Sequence, residues 1–207
     1  MRFIMRIRKN KLFYRKTKRL IIRPLQTSDY NVWKLAYTSM LAPKNKFDTS
    51  LNRKKTDLTK KMFAKMLTDQ NSKRQREEYC DYGVFLKSSG ELIGRVGLGH
   101  FIRSVTQSSF MGYVLFNRYW GFGYAEEAVT ELIDIAFHDH RLHRVVAGIE
   151  PDNKKSIRLA KKLGFRKEGL SKRVVLLRGE WQDLVQYALT TEDKKMNWTG
   201  QIEVRKR

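Results

Sequence analysis

The sequence predicts an α/β protein with a single mixed, mostly antiparallel sheet flanked by helices, in the order β-α-α-β-β-β-α-β-α-β-β. Apolar segments separated by glycine-containing turns fill the middle of the chain, which is typical of antiparallel strands. Further along, two segments with apolar residues at helical spacing lie between strand-like segments. A length of 207 residues with 41% hydrophobic residues suits one domain with a packed core.

The first part of the chain predicts one strand and two helices. The segment KRLIIRPLQ is a strand that ends at Pro24, and Thr27–Asp29 offer N-caps to a helix in TSDYNVWKLAY. Residues 42–56 form an irregular loop, and a second helix extends from Asp57 to about Asp69. The segment NSKRQREEY that follows is a charged connector.

The rest of the chain alternates strands with two helices. YCDYGVFLK and ELIGRVGLGHFI form a hairpin with its turn at Ser88–Gly90, and SSFMGYVLF is a third strand. An amphipathic helix starts near Ala125 and ends near His140, before the strand HRVVAGIE. The next helix, in NKKSIRLAKKLG, has Asn153 as its N-cap and Gly164 as its C-terminal stop. FRKEGLSKRVVLL and WQDLVQYALT are a last antiparallel pair with a turn at Arg178–Gly179.

Positive charge is the strongest signal in the composition, with a net charge of +22. Residues 1–23 contain many lysines and arginines and no acidic residue, which predicts docking on a polyanion: a nucleic acid such as rRNA, a membrane surface or an acidic protein. A solvated basic arm is the alternative, although interleaved aromatic residues favour docking. We expect a basic N-terminal arm at 1–16, one domain at 17–192 and a basic C-terminal tail at 193–207.

The sequence predicts a cytoplasmic protein. No apolar run is long enough to span a membrane, and the first residues lack the features of a secretory signal. Cys80 is the single cysteine, so no intrachain disulfide can form, and a small buried thiol is the simplest interpretation. A monomer and a homodimer are both compatible with the sequence.

The stretch NRYWGFGYAEEA, Asn117 to Ala128, carries the strongest functional signal. A strand leads into Arg118-x-x-Gly121-x-Gly123 and then into a helix, which places backbone N–H groups at a positive helix terminus. Glycines allow a phosphate to approach the main chain, so an anion site is predicted; a tight turn alone is the alternative. The stretch lacks the Gly-Lys-Ser/Thr of a P-loop, and Glu126 replaces the third glycine of a dinucleotide fingerprint.

In this context the sequence resembles the GNAT superfamily of acyl-CoA N-acyltransferases, whose pyrophosphate loop reads Gln/Arg-x-x-Gly-x-Gly/Ala. The resemblance continues in IEPDNKKSIRLAKKLGF, GEWQDLVQYALT and TKRLIIRPLQTSDY, and covers residues 17–192. Within the superfamily the chain looks most like the RimJ/RimL-type enzymes, which acetylate the N-terminal residue of ribosomal proteins. The resemblance implies the GNAT fold.

The resemblance also implies acetyl-CoA as cosubstrate and no metal. It implies that backbone N–H groups of the loop hold the pyrophosphate, that the preceding strand pairs with the pantetheine, and that Asn153 hydrogen-bonds it. Ser156 would lie near the CoA sulfur and donate a proton. The implied cofactor-binding residues are Val114, Leu115, Phe116, Arg118, Tyr119, Trp120, Gly121, Phe122, Gly123, Tyr124, Ala125, Asn153 and Ser156. A helix cap at Asn153 and an ordinary helix serine at Ser156 are the structural alternatives.

The implied reaction is attack of a neutral amine on the acetyl thioester, with a backbone N–H near Leu115 or Phe116 stabilising the oxyanion. An α-amine with a pKa of about 7.7–8.0 is more readily neutral than a lysine near roughly 10.4, so an N-terminal acceptor needs less help from a base. No base is evident, because Phe110 and Val175 occupy the positions where relatives carry carboxylates. Proton removal through water is then the simplest route. The available alternatives are Glu150, Asp152 and His100.

Three hypotheses follow for the function. The first is acetylation of a protein N-terminus; the resemblance implies that Trp33, Phe47 and the helix at Asp57–Asp69 frame the acceptor cleft. The second is acetylation of a small amine such as an antibiotic or polyamine, although the cationic surface disfavours cationic substrates. The third is an RNA- or ribosome-bound factor in which acetyl-CoA binding is secondary. His138 and His140 point to different faces of a helix and are not predicted to bind a metal.

Overall fold

The computed structural model describes residues 13–48 and 58–200, which form one sheet with helices packed against it. The strands are β1 (Arg15–Lys16), β2 (Leu20–Arg23), β3 (Tyr79–Leu86), β4 (Leu92–Ile102), β5 (Ser108–Leu115), β6 (Arg144–Ile149), β7 (Arg166–Leu177) and β8 (Glu180–Thr190). The α-helices are α1 (Tyr30–Thr38), α2 (Lys60–Gln75), α3 (Tyr124–Asp134) and α4 (Lys154–Lys162), and a π-helical segment at Ile135–Asp139 continues α3.

The sheet has the order β1-β2-β3-β4-β5-β6-β8-β7. Only the β5–β6 pair is parallel among these strands; all the others are antiparallel. This confirms the predicted mixed, mostly antiparallel sheet. The predicted turns at Ser88–Gly90 and Arg178–Gly179 also lie between paired strands.

One strand was not predicted. β1 pairs with β2, Arg15 opposite Ile22, and Phe13 packs against the main core. Residues 13–16 of the predicted arm therefore belong to the edge of the sheet. The packing of Phe13 and the pairing of two residues with β2 hold them there. Residues 1–12 lie outside the described part of the chain.

Helix α2 continues past its predicted end at Asp69, so the first residues of the predicted connector are helical. It begins after Thr59, whose side chain accepts a hydrogen bond from the Met62 N–H at 3.1 Å. Its polar C-terminal part is held to β3 by Gln70, which donates to the Asp81 carboxylate at 3.0 Å. The sequence prediction ended the helix at Asp69 because it followed the spacing of apolar residues, and the residues after Asp69 are held by polar contacts instead. The predicted first residue, Asp57, lies outside the described residues.

The core consists of two clusters. The larger contains the buried side chains of α3 and the central strands, and the smaller joins α1, α2 and β3. Trp33 belongs to the smaller cluster: it is 1% exposed and its ring centroid lies 4.8 Å from that of Phe63. The expectation that Trp33 frames an acceptor cleft is therefore wrong, because the indole fills the space between two helices.

A gap opens between β5 and β6, and it positions the candidate site. The two strands pair only from Ser108 to Phe110. Beyond that point β5 continues along β4 as far as Leu115, whereas β6 continues along β8 as far as Ile149. The two arms of the sheet thus separate, and β5 keeps one edge free of any strand in the described part of the chain.

Candidate active site

A cavity of about 200 Å³ fills the gap between the two arms. Its polar lining includes Tyr113 from β5, Glu150 just after β6, and Asn153 and Ser156 at the start of α4. Apolar side chains from α3, α4 and the β7–β8 hairpin complete its walls. A cavity with a few converging polar groups in an apolar setting is the usual form of a small-molecule site.

The free edge of β5 faces this gap. Phe116 N–H donates to Ile93 O at 2.9 Å, so this N–H is directed at β4 and is not available to an oxyanion. Polar groups alternate along an antiparallel ladder, which directs the N–H groups of Tyr113 and Leu115 towards the gap. Leu115 is therefore the better of the two predicted oxyanion donors. The Trp120 indole fixes this end of the strand by donating to Leu115 O at 2.7 Å.

The loop between β5 and α3 has the backbone form of an anion site. A 3₁₀ turn at Asn117–Tyr119 precedes Gly121 and Gly123, whose φ angles are +92° and +77°. Gly123 is the N-cap of α3 and provides no side chain for capping. Within the described ranges, nothing accepts from the N–H groups of residues 121–126, and Glu127 N–H makes the first helical bond, to Gly123 O at 3.3 Å. These N–H groups lie at a positive helix end.

Arg19, in the turn between β1 and β2, fixes this loop, and the sequence did not indicate this contact. Its Nη1 donates to Phe122 O at 2.7 Å, and its Nε donates to the Glu127 carboxylate at 2.7 Å. The guanidinium also lies 4.5 Å from the ring centroid of Tyr124. Burial acts to raise the pKa of Glu127, but hydrogen bonds from Thr17 and Arg19 hold it below its ordinary value. The ionised carboxylate therefore anchors Arg19 beside the loop.

Two hydroxyl groups from different elements, β5 and α4, form a hydrogen bond in the lining of the cavity. Tyr113 Oη donates to Ser156 Oγ at 3.0 Å. Ser156 N–H donates to Asn153 Oδ1 at 3.2 Å, which confirms Asn153 as the cap of α4; Gly164, at φ +92°, follows the last turn as predicted. Burial raises the pKa of Tyr113, although its bond to Ser156 opposes this, so the phenol stays protonated at neutral pH.

The candidate bases have different surroundings. The Glu150 side chain lines the cavity, is 11% exposed and contacts the Arg178 guanidinium. Asp152 is 71% exposed and binds Lys46 at 3.0 Å. His100 lies on β4 against Phe110, with ring centroids 6.1 Å apart, and does not line the cavity. Only Glu150 is therefore placed beside the two hydroxyl groups.

The loop at residues 39–48 touches both arms of the sheet. On one side the buried Asn117 amide donates to Ala42 O at 2.8 Å and to Asp48 Oδ2 at 2.7 Å. On the other side Lys46 pairs with Asp152, and Lys46 O accepts from Arg178 at 3.4 Å. Phe47 lies on this loop and is half-buried. We call this segment the bridging loop.

The three arginines at residues 13–23, the described part of the predicted polyanion-docking segment, each form a salt bridge within the fold. Arg15 pairs with Asp139 at 2.6 Å, Arg19 with Glu127, and Arg23 with Asp29 at 2.6 Å. Lys16 and Lys18 are exposed and form no salt bridge among the described residues. Any docking through residues 1–23 therefore depends on these lysines and on residues 1–12.

The described residues contain no candidate metal site and no candidate membrane span. Within residues 13–48 and 58–200, no three or more His, Cys, Asp or Glu side chains converge as metal ligands would. No helix in those ranges combines the length and apolar character needed to cross a bilayer.

Comparison with known proteins places the chain in a class of acyl-group transferases. The chain belongs to the GNAT acetyltransferase family, because the family model described as "Acetyltransferase (GNAT) domain" matches residues 19–166. The chain is 37% identical over 129 residues to a probable N-acetyltransferase, YjcK, of Bacillus subtilis, covering 62% of this chain and 71% of the relative. It is 35% identical over 118 residues to the ribosomal protein uS5 alanine N-acetyltransferase of Escherichia coli, covering 57% of this chain and 59% of the relative.

A solved structure shares the fold over nearly the whole length. The ribosomal-protein-S5-alanine acetyltransferase of Vibrio fischeri superposes with a TM-score of 0.74 at 24% identity, covering 90% of this chain and 99% of the other. RimJ of Mycobacterium smegmatis, solved in complex with a CoA disulfide, gives a TM-score of 0.70 at 23% identity, covering 84% and 83%. These likenesses show that the arrangement of sheet and helices is that of the family.

Proposed function

We propose that this protein transfers the acetyl group of acetyl-CoA to the N-terminal α-amine of a protein. The observation that carries the proposal is the gap between β5 and β6, with the loop of unpaired N–H groups at one end and paired hydroxyl groups inside. Membership of the GNAT acetyltransferase family supports the acetyl-CoA assignment.

In this proposal the pyrophosphate binds the backbone N–H groups of the loop that ends at Gly123. A helix N-terminus favours a negative charge, and glycines permit its close approach. The pantetheine lies along the free edge of β5, from Val114 to Phe116, and Asn153 hydrogen-bonds it. All the residues predicted from the resemblance retain these roles as proposals, except that Leu115 alone supplies the oxyanion N–H.

The chemistry needs little acid catalysis. The leaving thiolate has a conjugate acid near pKa 8.5 by analogy with cysteine, so a hydrogen bond from Ser156 is enough to stabilise it. Placing the amine and thioester together in the cavity provides much of the acceleration. An N-terminal α-amine suits this site, because it is partly neutral near pH 7.5 without a strong base.

A ribosomal protein is the acceptor we favour, since a curated relative that is 35% identical is named for acetylation of uS5 alanine. Because the chain spans only about three fifths of the length of that relative, the acceptor is assigned by this proposal alone. Most ribosomal proteins are basic and would be repelled by a chain of net charge +22, so we propose docking on rRNA or on an acidic ribosomal protein. Such a reaction takes place in the cytoplasm.

Two measurements test the proposal. The first is thermal stability with and without acetyl-CoA, and the second is thiol release with peptides whose N-termini are free or blocked, compared with polyamines. The protein adds no background to the thiol assay, because Cys80 is buried and its pKa is raised to about 11 by that burial. We expect a stabilising shift with acetyl-CoA and release only with free N-termini. Thiol release with polyamines alone would instead favour a small-amine acetyltransferase. If acetyl-CoA did not change the thermal stability, the glycine loop would be only a turn and not a phosphate site.

A further inference from the structure

Among the described residues that line the cavity between the arms, Glu150 provides the one carboxylate and the one charged group. The other polar groups there are already engaged with each other, since Tyr113 bonds to Ser156 and Asn153 caps the helix that carries Ser156. The remaining lining is apolar or glycine. A lone carboxylate in such a cavity is suited to hold an amine.

The local backbone places this carboxylate at the end of the separated arm. Glu150 directly follows Ile149, the last residue of β6, and its carbonyl accepts from Asn153 N–H at 2.9 Å in the turn that leads to α4. The turn therefore fixes Glu150 relative to both the strand and Ser156. With 11% of its side chain exposed, the carboxylate is sheltered but not sealed from solvent.

Arg178 orients the carboxylate from the other side. Its Nη2 contacts Glu150 Oε2, and its Nη1 donates to Lys46 O of the bridging loop at 3.4 Å. Within the described residues the Glu150 carboxylate is bonded through Oε2, to Arg178, and not through Oε1. One oxygen is thus fixed by the β7–β8 hairpin, and the other is left for a ligand.

We infer that Glu150 is the catalytic residue that receives the acceptor amine and takes its proton, an assignment that rests on the acetyl transfer proposed above. The neutral amine donates an N–H to Oε1, and its lone pair attacks the thioester carbonyl carbon. The C–N bond forms, the C–S bond breaks and the electron pair leaves on sulfur. The proton lost from nitrogen goes to Glu150, which releases it to solvent, while the thiolate accepts a hydrogen bond from Ser156 and takes a proton from solvent. Arg178 is a positioning residue.

The test compares three variants in acetyl transfer to the best acceptor peptide. Glu150→Gln keeps the shape and can still bind Arg178, but it cannot take a proton. Arg178→Gln breaks the same ion pair and leaves the carboxylate. Asp152→Asn is the matched control, because Asp152 is a neighbouring, exposed carboxylate outside the cavity. Each variant is first checked for an unchanged stabilisation by acetyl-CoA, which reports an intact fold and donor site.

We expect kcat to fall by about 100-fold or more in E150Q, the usual contribution of a general base, with the KM for acetyl-CoA unchanged. For R178Q we expect a loss of about fivefold in kcat, since the carboxylate is only less well oriented, and for D152N a loss within about twofold. Glu150→Asp keeps a proton acceptor and should retain more kcat than E150Q.

Two results would overturn the assignment while leaving the proposed function in place. One is an E150Q variant as active as the wild type. The other is an equal loss in E150Q and R178Q, which would show that Glu150 acts only as a tether for the hairpin. A wild type that transfers no acetyl group to any amine would contradict the proposed function itself, and this assignment with it.

Discussion

The Tyr113 hydroxyl donates a hydrogen bond of 3.0 Å to Ser156 Oγ and so joins β5 to the first turn of α4 across the cleft. Because Ser156 accepts this bond, its own proton is left for a third partner. In the proposed reaction that partner is the leaving sulfur. Tyr113 would then act by orienting the Ser156 hydroxyl.

Replacing Tyr113 by Phe should therefore lower kcat by about three- to tenfold, comparable to the loss of one neutral hydrogen bond, with little change in the KM for acetyl-CoA. Ser156→Ala should do the same, and the double variant should be no worse than either alone, since the two residues act as a unit. Steady-state kinetics of the three variants measure this. Tyr79→Phe, on β3, is the control. Additive losses would show that the two hydroxyl groups act independently.

Substitution of Arg19 should weaken the binding of acetyl-CoA and leave the binding of the acceptor amine unchanged. Arg19→Gln removes the bonds to Phe122 O and Glu127 that fix the glycine loop, so we expect the Kd for acetyl-CoA to rise about tenfold, consistent with loss of charge-assisted hydrogen bonds. Calorimetric titration measures the affinity, and Lys18→Gln is the neighbouring control. A lower melting temperature with unchanged affinity would mean that Arg19 stabilises only the sheet edge.

Gly121 and Gly90 offer a matched pair of substitutions. Both have a positive φ, +92° and +73°, and at both an added Cβ would meet no atom within 4 Å. Alanine at either site should cost about 1 kcal/mol of stability through backbone strain. Only Gly121→Ala should also weaken acetyl-CoA binding, because only this position faces the proposed phosphate. Equal affinities in the two variants would exclude close approach of the ligand at Gly121.

The buried His140 should make stability depend on pH. Burial, reinforced by the nearby Arg103, lowers its pKa to about 4. The unfolded imidazole takes up a proton below about pH 6.5, so the unfolded state binds more protons between pH 6.5 and 4. Stability should therefore fall as the pH drops through this window, by roughly 3 kcal/mol in all.

Denaturant titrations at pH 7, 5.5 and 4 measure this contribution. His140→Gln should lower stability at pH 7, because Tyr82 Oη lies 3.2 Å from the ring nitrogen, but its pH dependence should be shallower than that of the wild type. Parallel slopes in the wild type and H140Q would show that other groups cause the acid sensitivity.

Local sequence signals predicted those parts of the fold that local interactions determine. Asn153 and Gly164 bounded α4 correctly, because a side-chain cap and a left-handed stop act within a few residues. The glycine loop was also found where strand gives way to helix. By contrast, the part of α2 beyond Asp69 contacts β3 through Gln70, which donates to Asp81, and a polar contact of this kind produces no apolar periodicity in the sequence.

The site was only partly predictable for the same reason. Asn153 and Ser156 could be assigned from a motif, but their partner Tyr113 is 43 residues from Ser156 in the chain. Arg19 is 103 residues from the carbonyl it binds. In the sequence Glu150 could not be distinguished from other charged loop residues. Its position in the cavity follows from the separation of β5 and β6. Contacts between distant segments carry no local pattern.

The loop after β5 presents main-chain N–H groups, and this has an evolutionary consequence. Every residue except proline carries the same amide, so mutations that change the side chains of the loop leave the ligand-facing atoms unaltered. Phe122, which is 60% exposed, should drift freely, whereas Gly121 and Gly123 should be retained. Lineages built on this scaffold can therefore diverge widely in sequence while inheriting the same donor chemistry.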